Sequence, residues 1–303
     1  MVRELYRRIV PRFIRVPISI LRDRVKRDYG IKAINRYYHA HPQEGTLYTK
    51  EVAYMNSINK MVMCPYPFSE MYSKMPVDVE FDTEKDMHYI NHKGKSLYFP
   101  RTMQIEEVIG TYRTLLLEQD VRNSHRYMTE NIERILPLSF FDVGSAEGIL
   151  ALELIDRVDK VYLFESDPAW IDALNATFEP WKNKVTIVSK FAGSVTNETT
   201  VTIDEICKED PNTKLIKMDV EGAELDVLKG CKKIIAEQGN VFLCCTYHRE
   251  RDAEDFEKLF KEQGYRIEFT EGYIFLASDP TWEVGIYVTR PPFRRGLIRA
   301  WKE

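Results

Sequence analysis

Two groups of residues have the types and spacing to do chemistry. The first is Asp142-Val143-Gly144-Ser145-Ala146-Glu147-Gly148. An apolar run precedes it, so the stretch reads as a strand that breaks into a tight glycine turn and then starts a helix. Such a turn lets backbone come close to a ligand where a Cβ would intrude. Glu165 follows Asp142 by 23 residues and closes the next apolar run. A carboxylate at that remove from a glycine turn suits the two hydroxyls of a ribose. The second group is Asp219-Val220-Glu221-Gly222-Ala223-Glu224, with His248 beyond the following apolar run. Asp219 ends a strand-like stretch, where it can accept a hydrogen bond, take a proton or ligate a cation. Glu221 and Glu224 also suit the N-terminus of a helix. His248 titrates near neutrality and is a second candidate to take a proton from an acceptor hydroxyl.

These residues need elements to position them. Apolar runs predict strands over 138–143, 160–165, 185–189, 215–219, 241–247, 265–269, 273–277 and 284–289. Helical patterns fall over about 147–156, 168–177, 224–237 and 252–263. Strand and helix alternate, which predicts an α/β fold: an open, mostly parallel sheet with helices on both faces. The last three strands follow one another without a helix, so one of them is expected to run antiparallel near the edge. Ligands of such sheets bind at the carboxyl ends of the strands. That filter collects Asp142 to Gly144, Glu165, Lys190 to Gly193, Asp219 to Glu221 and Tyr247-His248 in one crevice. Just before the first of these strands, two readings stand level: Arg126 meets a ligand carboxylate and Tyr127 stacks on a ligand, or Tyr127 is buried and Arg126 lies on the surface.

Composition excludes several classes. The chain has 303 residues, 44% hydrophobic and 30% charged, enough for a sizeable core. Its net charge of -4 argues against nucleic acid as a partner. The five cysteines include no CxxC pair, which points to reduced thiols, a cytoplasmic setting and no zinc site. Apolar runs are too short for a membrane span or a signal peptide core.

The first hundred residues read differently. Residues 1–30 hold nine Arg and Lys against three acids, with apolar residues at helical spacing from Leu5 to Ile14. This is either a helix packed on its own domain or a basic helix lying on an anionic membrane surface. The tail is basic as well, with Arg290, Arg294, Arg295, Arg299 and Lys302. The packed helix is the preferred reading, and two basic ends add a little weight to peripheral contact with the inner face of a membrane. Residues 31–76 are rich in tyrosine and read as a small helical cap. Residues 77–100 read as a β-hairpin turning at Asn91 to Lys95. His39, His41, His88 and His92 lack an acidic partner at metal-ligand spacing and read as ordinary histidines. Ile105 to Leu117 reads as a helix, and a second short one runs to Ile135. The expected division is an N-terminal extension over 1–104 and a main domain over 105–303.

Four stretches carry a resemblance. They are Phe141 to Gly148, Phe164-Glu165, Val201-Thr202-Ile203-Asp204-Glu205-Ile206, and Ile216-Lys217-Met218-Asp219-Val220-Glu221-Gly222-Ala223-Glu224. Across about residues 120–250 the chain resembles the FkbM family of S-adenosylmethionine-dependent methyltransferases. The resemblance implies a class I methyltransferase fold with a seven-stranded sheet and one antiparallel strand near its edge. It implies O-methylation of a sugar, a glycan precursor or a related natural product. Under it, Gly144, Ser145 and Gly148 accommodate the amino-acid part of the cofactor, and Asp142 orients its ammonium. Glu165 holds the ribose, and Lys190 and Phe191 lie at the adenine. Asp219 and His248 act as base or orient the acceptor. Here Ser145-Ala146-Glu147 stands where the family usually has Ala-Asn-x.

Two other readings compete. A nicotinamide-dependent oxidoreductase requires GxGxxG, and this chain has GxxxG. A methyltransferase-like scaffold in an envelope polysaccharide assembly complex would suit the basic ends, but it has no need to keep Asp142, Gly144, Glu165 and Asp219 together.

Overall fold

The computed structural model describes residues 29–277, 282 and 290–302. The basic stretch over 1–28 and the strand expected over 284–289 lie outside the described residues. The chain forms two compact units, 1–67 with 273–294, and 68–272 with 295–303. This division replaces the expected boundary at 104/105. Residues 68–104 belong to the same unit as the sheet, and a late segment returns to the N-terminal unit. Sequence adjacency alone gives no hint of either.

In the N-terminal unit, helical residues 29–40 and the helix Thr49–Ile58 surround an aromatic core. Tyr38, Tyr48, Phe275, Trp282 and Phe293 are buried in it with Ile34 and Met55. Tyr48 stacks on Phe293 at 4.8 Å and meets Tyr273 edge-on at 4.7 Å. The tyrosine-rich stretch is therefore the core of a small helical unit.

After a short helix, Ser69–Ser73, the larger unit continues with an antiparallel meander, β1 (Glu80–Asp82), β2 (Met87–His92) and β3 (Lys95–Tyr98). The hairpin turns on Lys93 and Gly94, both at positive φ, the backbone that a two-residue hairpin requires. A helix, Ile105–Glu118, follows, begun by a reciprocal Gln104–Glu107 capping box. A short helix, Glu130–Arg134, leads to the sheet.

The remaining strands are β4 (Ser139–Val143), β5 (Lys160–Phe164), β6 (Val185–Val188), β7 (Phe191–Ala192), β8 (Thr200–Val201), β9 (Lys214–Met218), β10 (Val241–Cys245), β11 (Arg266–Phe269), β12 (Ile274–Phe275), β13 (Phe293–Arg294) and β14 (Leu297–Trp301). Seven of them form one sheet in the order β11-β14-β10-β9-β4-β5-β6. All run parallel except β14, which is antiparallel to both β10 and β11. The expected class of sheet is present, but its antiparallel strand is not one of those predicted. β12 instead pairs with β13 in a separate two-stranded ribbon of the other unit. β14 was missed because Arg299 sits in the middle of it, and Arg299 is only 2% exposed. The same residue is therefore no surface charge of the basic tail. Arg295 stacks on Phe269 at 4.6 Å and Lys302 lies over Tyr265 at 5.7 Å. Three cations of this stretch thus serve packing.

Alternation along the strands divides the sheet's two faces. Phe141, Val143, Ile216, Met218, Phe242, Cys244, Ile298 and Ala300 share one face. They form a continuous core with Val227, Leu228, Phe256 and Phe260 from the helices Glu224–Lys229 and Asp252–Glu262. The opposite face carries two charged pairs on either side of Leu243 in the register: Asp142 beside Lys217, Lys217 beside Leu243, Leu243 beside Arg299, and Arg299 beside Glu268. The single helix expected over 224–237 is two, Glu224–Lys229 and Lys232–Ala236. They break at Gly230, where a Cβ would overlap the Gly193 carbonyl oxygen.

Candidate functional site

The parallel strands β4, β5, β9 and β10 bring their carboxyl ends to one side of the sheet. After β4, the amides of Gly144 and Ser145 both donate to the Phe164 carbonyl, at 3.1 and 3.0 Å. The Ser145 hydroxyl donates to the Asp142 carbonyl at 2.7 Å. Gly144 sits at φ +79, and a Cβ there would overlap the Asp219 carbonyl oxygen. Gly148, at φ +72, lies where a Cβ would come within 2.9 Å of Leu174 and 3.0 Å of Phe178. Both glycines are thus demanded first by the chain's own packing, which seats the turn against β9 and against the helix Pro168–Phe178.

Glu165 stands directly after β5. Its carboxylate accepts from the amides of Ala146 (3.0 Å), Ser166 (2.7 Å) and Asp167 (2.8 Å). Three backbone donors fix its direction and tie it to the glycine turn. Of about four lone-pair sites, three are taken, which leaves room for one hydroxyl.

Asp142 and Lys217 are cross-strand neighbours, and the Lys217 amine lies 2.9 Å from Asp142 Oδ1. The amine also donates to the Gly144 carbonyl at 2.6 Å. Burial raises the Asp142 carboxyl above its usual range, against the pull of Lys217. Burial would lower Lys217, but Asp142 and Asp219 outweigh it and hold the amine protonated. Asp142 therefore meets any ligand as half of an ion pair. Beside it, Glu147 is 8% exposed, and burial pushes its carboxyl up to about 8.

Asp219 is the hub of the second group. Its Oδ2 accepts from the Tyr127 hydroxyl at 2.9 Å, and its Oδ1 accepts from the Tyr247 hydroxyl at 3.3 Å. His125 Nε2 stands 3.5 Å from Oδ2, and His248 Nε2 stands 3.5 Å from Oδ1. Burial pushes the Asp219 carboxyl up. The bond and charge of His125, with Lys217 and His248, outweigh that and hold it well below the usual carboxylate range. Burial would depress His125, yet the Glu118 and Asp219 carboxylates raise it. His248 behaves likewise, raised against burial chiefly by Glu224, whose Oε1 lies 2.8 Å from its Nδ1. Asp219 is thus a permanently charged acceptor between two imidazoles, rather than a base that needs a raised pKa.

With this geometry established, comparison with known proteins is informative. The Methyltransferase FkbM domain matches residues 142–267, from the glycine turn to β11. The Hexuronic acid methyltransferase AglP of Haloferax volcanii is 30% identical over 197 residues, covering 56% of this chain and 79% of its own. The chain belongs to the FkbM methyltransferase family. Among solved structures it is similar to Methyltransferase FkbM from Methylobacillus flagellatus KT, with a TM-score of 0.44 and 21% identity. That match covers 64% of this chain and spans about half, 52%, of the other. The Precorrin-6y C5,15-methyltransferase from Geobacter metallireducens GS-15 gives a TM-score of 0.36 at 11% identity, over 67% of this chain and 94% of its own.

Within this FkbM chain the other expected site residues divide. Phe191 begins β7 and is 62% exposed, so it can offer a flat apolar face. The Lys190 amine donates to the Asn197 carbonyl at 2.9 Å and closes its own loop. Arg126 meets the sheet through its carbonyl, which accepts from the Arg299 guanidinium. Tyr127 is buried, with its hydroxyl on Asp219 and Lys217 over its ring at 5.6 Å, so it does not stack on a ligand. Sequence reasoning gave no role to Lys217, His125 or Tyr247. Lys217 was visible as a lone charge inside an apolar strand. Tyr247 was placed in the crevice by its position at a strand end, whereas His125 carried no signal, because only the fold brings the segment before β4 against the end of β10. Among the described residues no helix is long and apolar enough to cross a membrane.

Proposed function

We propose that this chain is an S-adenosylmethionine-dependent O-methyltransferase that acts on a hydroxyl of a sugar or glycan precursor. One observation carries the reading. The Glu165 carboxylate is bonded to the glycine turn at the end of neighbouring strands, and the Asp219 cluster stands at the end of the next strand over. A nucleoside holder and an acceptor-orienting cluster so share one crevice.

The residues fit the cofactor by chemistry. Glu165 offers a carboxylate, fixed in direction, to a ribose hydroxyl. Phe191 offers an exposed ring to a purine. When bound, S-adenosylmethionine supplies a methyl group on a sulfonium. This chain's own part is to orient and to exclude water, since aligned reactants need little further help. Asp219, held ionised, accepts a hydrogen bond from an acceptor hydroxyl and so sets its direction. Tyr127 and Tyr247 hold Asp219 in place with their own hydroxyls. The relative named as a hexuronic acid methyltransferase supports a sugar acid as the acceptor class.

Calorimetry with S-adenosylhomocysteine tests the reading, on the wild type, Glu165→Gln and Glu165→Ala. Micromolar binding is expected, weakened by about 1–3 kcal/mol in Glu165→Ala, the usual loss for an unpaired polar partner. Absence of binding to the wild type would refute the enzyme and restore the scaffold reading. Transfer of a labelled methyl group to nucleotide-linked or lipid-linked glycans that contain a hexuronate then tests the acceptor.

A further inference from the structure

We propose that Glu147 receives the ammonium of the cofactor's amino-acid part, and that binding drives a proton from the Glu147 carboxyl into solvent. The proposal rests on the methyltransferase reading, which supplies the ligand. The residue and the proton are read from this chain.

Two bonds fix where Glu147 stands. On one side of it the Ala146 amide donates to the Glu165 carboxylate at 3.0 Å. On the other the Gly148 amide donates to the Ser145 carbonyl at 2.8 Å. Glu147 is thus the next residue along the turn from the amide that ties down the ribose holder. The amino-acid part of S-adenosylmethionine is joined to the ribose through sulfur, so this turn is within its reach.

Asp142 was the carboxylate expected to meet that ammonium, and the structure engages it elsewhere. The Lys217 amine lies 2.9 Å from Asp142 Oδ1 and donates to the Gly144 carbonyl at 2.6 Å. A second cation brought to Asp142 meets the charge of the first. Glu147 has no such partner. It is buried, its own amide reaches its carboxyl, and among the described residues no other hydrogen-bond donor does. The charged groups that face it belong to the crevice: Lys217 from β9, Asp142 from β4 and Glu118 from the end of the helix Ile105–Glu118. Glu118 in turn faces His125, Lys217 and Asp219. Lys217 does little for Glu147, because its charge is matched by Asp142 and Asp219. Burial, with Glu118 and Asp142, therefore pushes the Glu147 carboxyl up to about 8. A buried acid left short of a cation, in the turn that meets the ligand, is a cost to the fold that a bound ammonium removes.

The proton balance follows. Against an ammonium the ionised carboxyl is favoured, so the O–H bond breaks, the proton passes to solvent, and carboxylate and ammonium pair. A carboxyl that titrates near 8 is about nine-tenths protonated at pH 7. Binding at pH 7 should then release about 0.9 proton. Free Glu147 holds the proton and the complex does not, so affinity rises with pH, by up to about tenfold per unit between about pH 6 and pH 7.

Calorimetry on the full-length protein at pH 7, in phosphate and in Tris, reads the proton, because the two buffers take it up with different enthalpies. S-adenosylhomocysteine carries the ammonium without the sulfonium, and adenosine carries neither. About 0.9 proton is expected with S-adenosylhomocysteine and none with adenosine. Glu147→Gln should abolish the release and weaken S-adenosylhomocysteine about tenfold or more, while leaving adenosine unchanged. Removing an unpaired buried acid does not weaken the fold, and a urea midpoint on the same sample confirms that the variant is native. Release that persists in Glu147→Gln, or equal affinity of wild type and variant for S-adenosylhomocysteine, overturns the proposal. So does equal release with adenosine. If S-adenosylhomocysteine binds the wild type without releasing a proton, this inference alone falls; if it does not bind, the methyltransferase reading falls with it.

Discussion

Replacing Glu147 by Gln should stabilise the protein, and more so as pH rises. The carboxyl is 8% exposed, and burial lifts it from 4.5 to about 8, with Glu118 and Asp142 adding to the lift and Lys217 opposing it. The unfolded chain releases this proton above about pH 4.5, while the native protein keeps it until about 8. Across that window the native state binds more protons than the unfolded one, so stability falls as pH rises. The slope is about 1.4 kcal/mol per pH unit for a single group. From about pH 5 to about pH 8 the loss approaches 4 kcal/mol, and about half of that if the pocket relaxes to admit water. Glutamine keeps the shape and removes the titration. Urea midpoints of both proteins, taken at several pH values and constant ionic strength, give the difference directly. The advantage of Glu147→Gln should be small at about pH 5 and grow by about 2–4 kcal/mol by pH 8. A difference that stays flat, or shrinks, would refute the assignment of Glu147 as a neutral buried acid.

Other substitutions probe the frame. Arg299→Ala leaves the carbonyls of Arg126 and Tyr127 and the Glu268 carboxylate without their donor, and should cost about 3–5 kcal/mol in chemical denaturation. Gly144→Ala places a methyl group against the Asp219 carbonyl at a backbone φ of +79. It should cost at least about 2 kcal/mol and weaken S-adenosylhomocysteine binding, read by thermal shift and calorimetry. Lys217→Met strips the partner from buried Asp142; a loss of about 3 kcal/mol or more is expected, and Asp142→Asn in the same chain should recover part of it.

The sequence showed the sheet's class and the ends of its strands, because parallel strands buried on both faces are near-continuous apolar runs. Asp142, Glu165, Asp219 and His248 stood out since each ends or follows such a run. What stayed hidden depends on register and on long-range return of the chain. Lys217 and Asp142 meet only because β4 and β9 pair in one particular register. Arg299 concealed β14, since its charge is matched by Glu268 and two carbonyls supplied from elsewhere. The break at Gly230 depends on the carbonyl of Gly193, which no local pattern reveals. The glycines of the turn were recognised, but the reason they are needed, contact with β9 and with the helix Pro168–Phe178, was not.

The place of β14 has a consequence for how the protein is made. It follows the other six strands in the chain, yet it lies between β10 and β11. While a ribosome still holds this stretch, β11 has no neighbour and β10 has a bare flank. The 27 residues between β11 and β14 take roughly one to six seconds to synthesise. During that interval two strand edges are open to wrong partners. Arg299 arrives with β14 and fastens the segment that carries His125 and Tyr127. The crevice around Asp219 is therefore completed only once β14 has emerged, and a chaperone that shields β10 until then should raise the yield of folded protein.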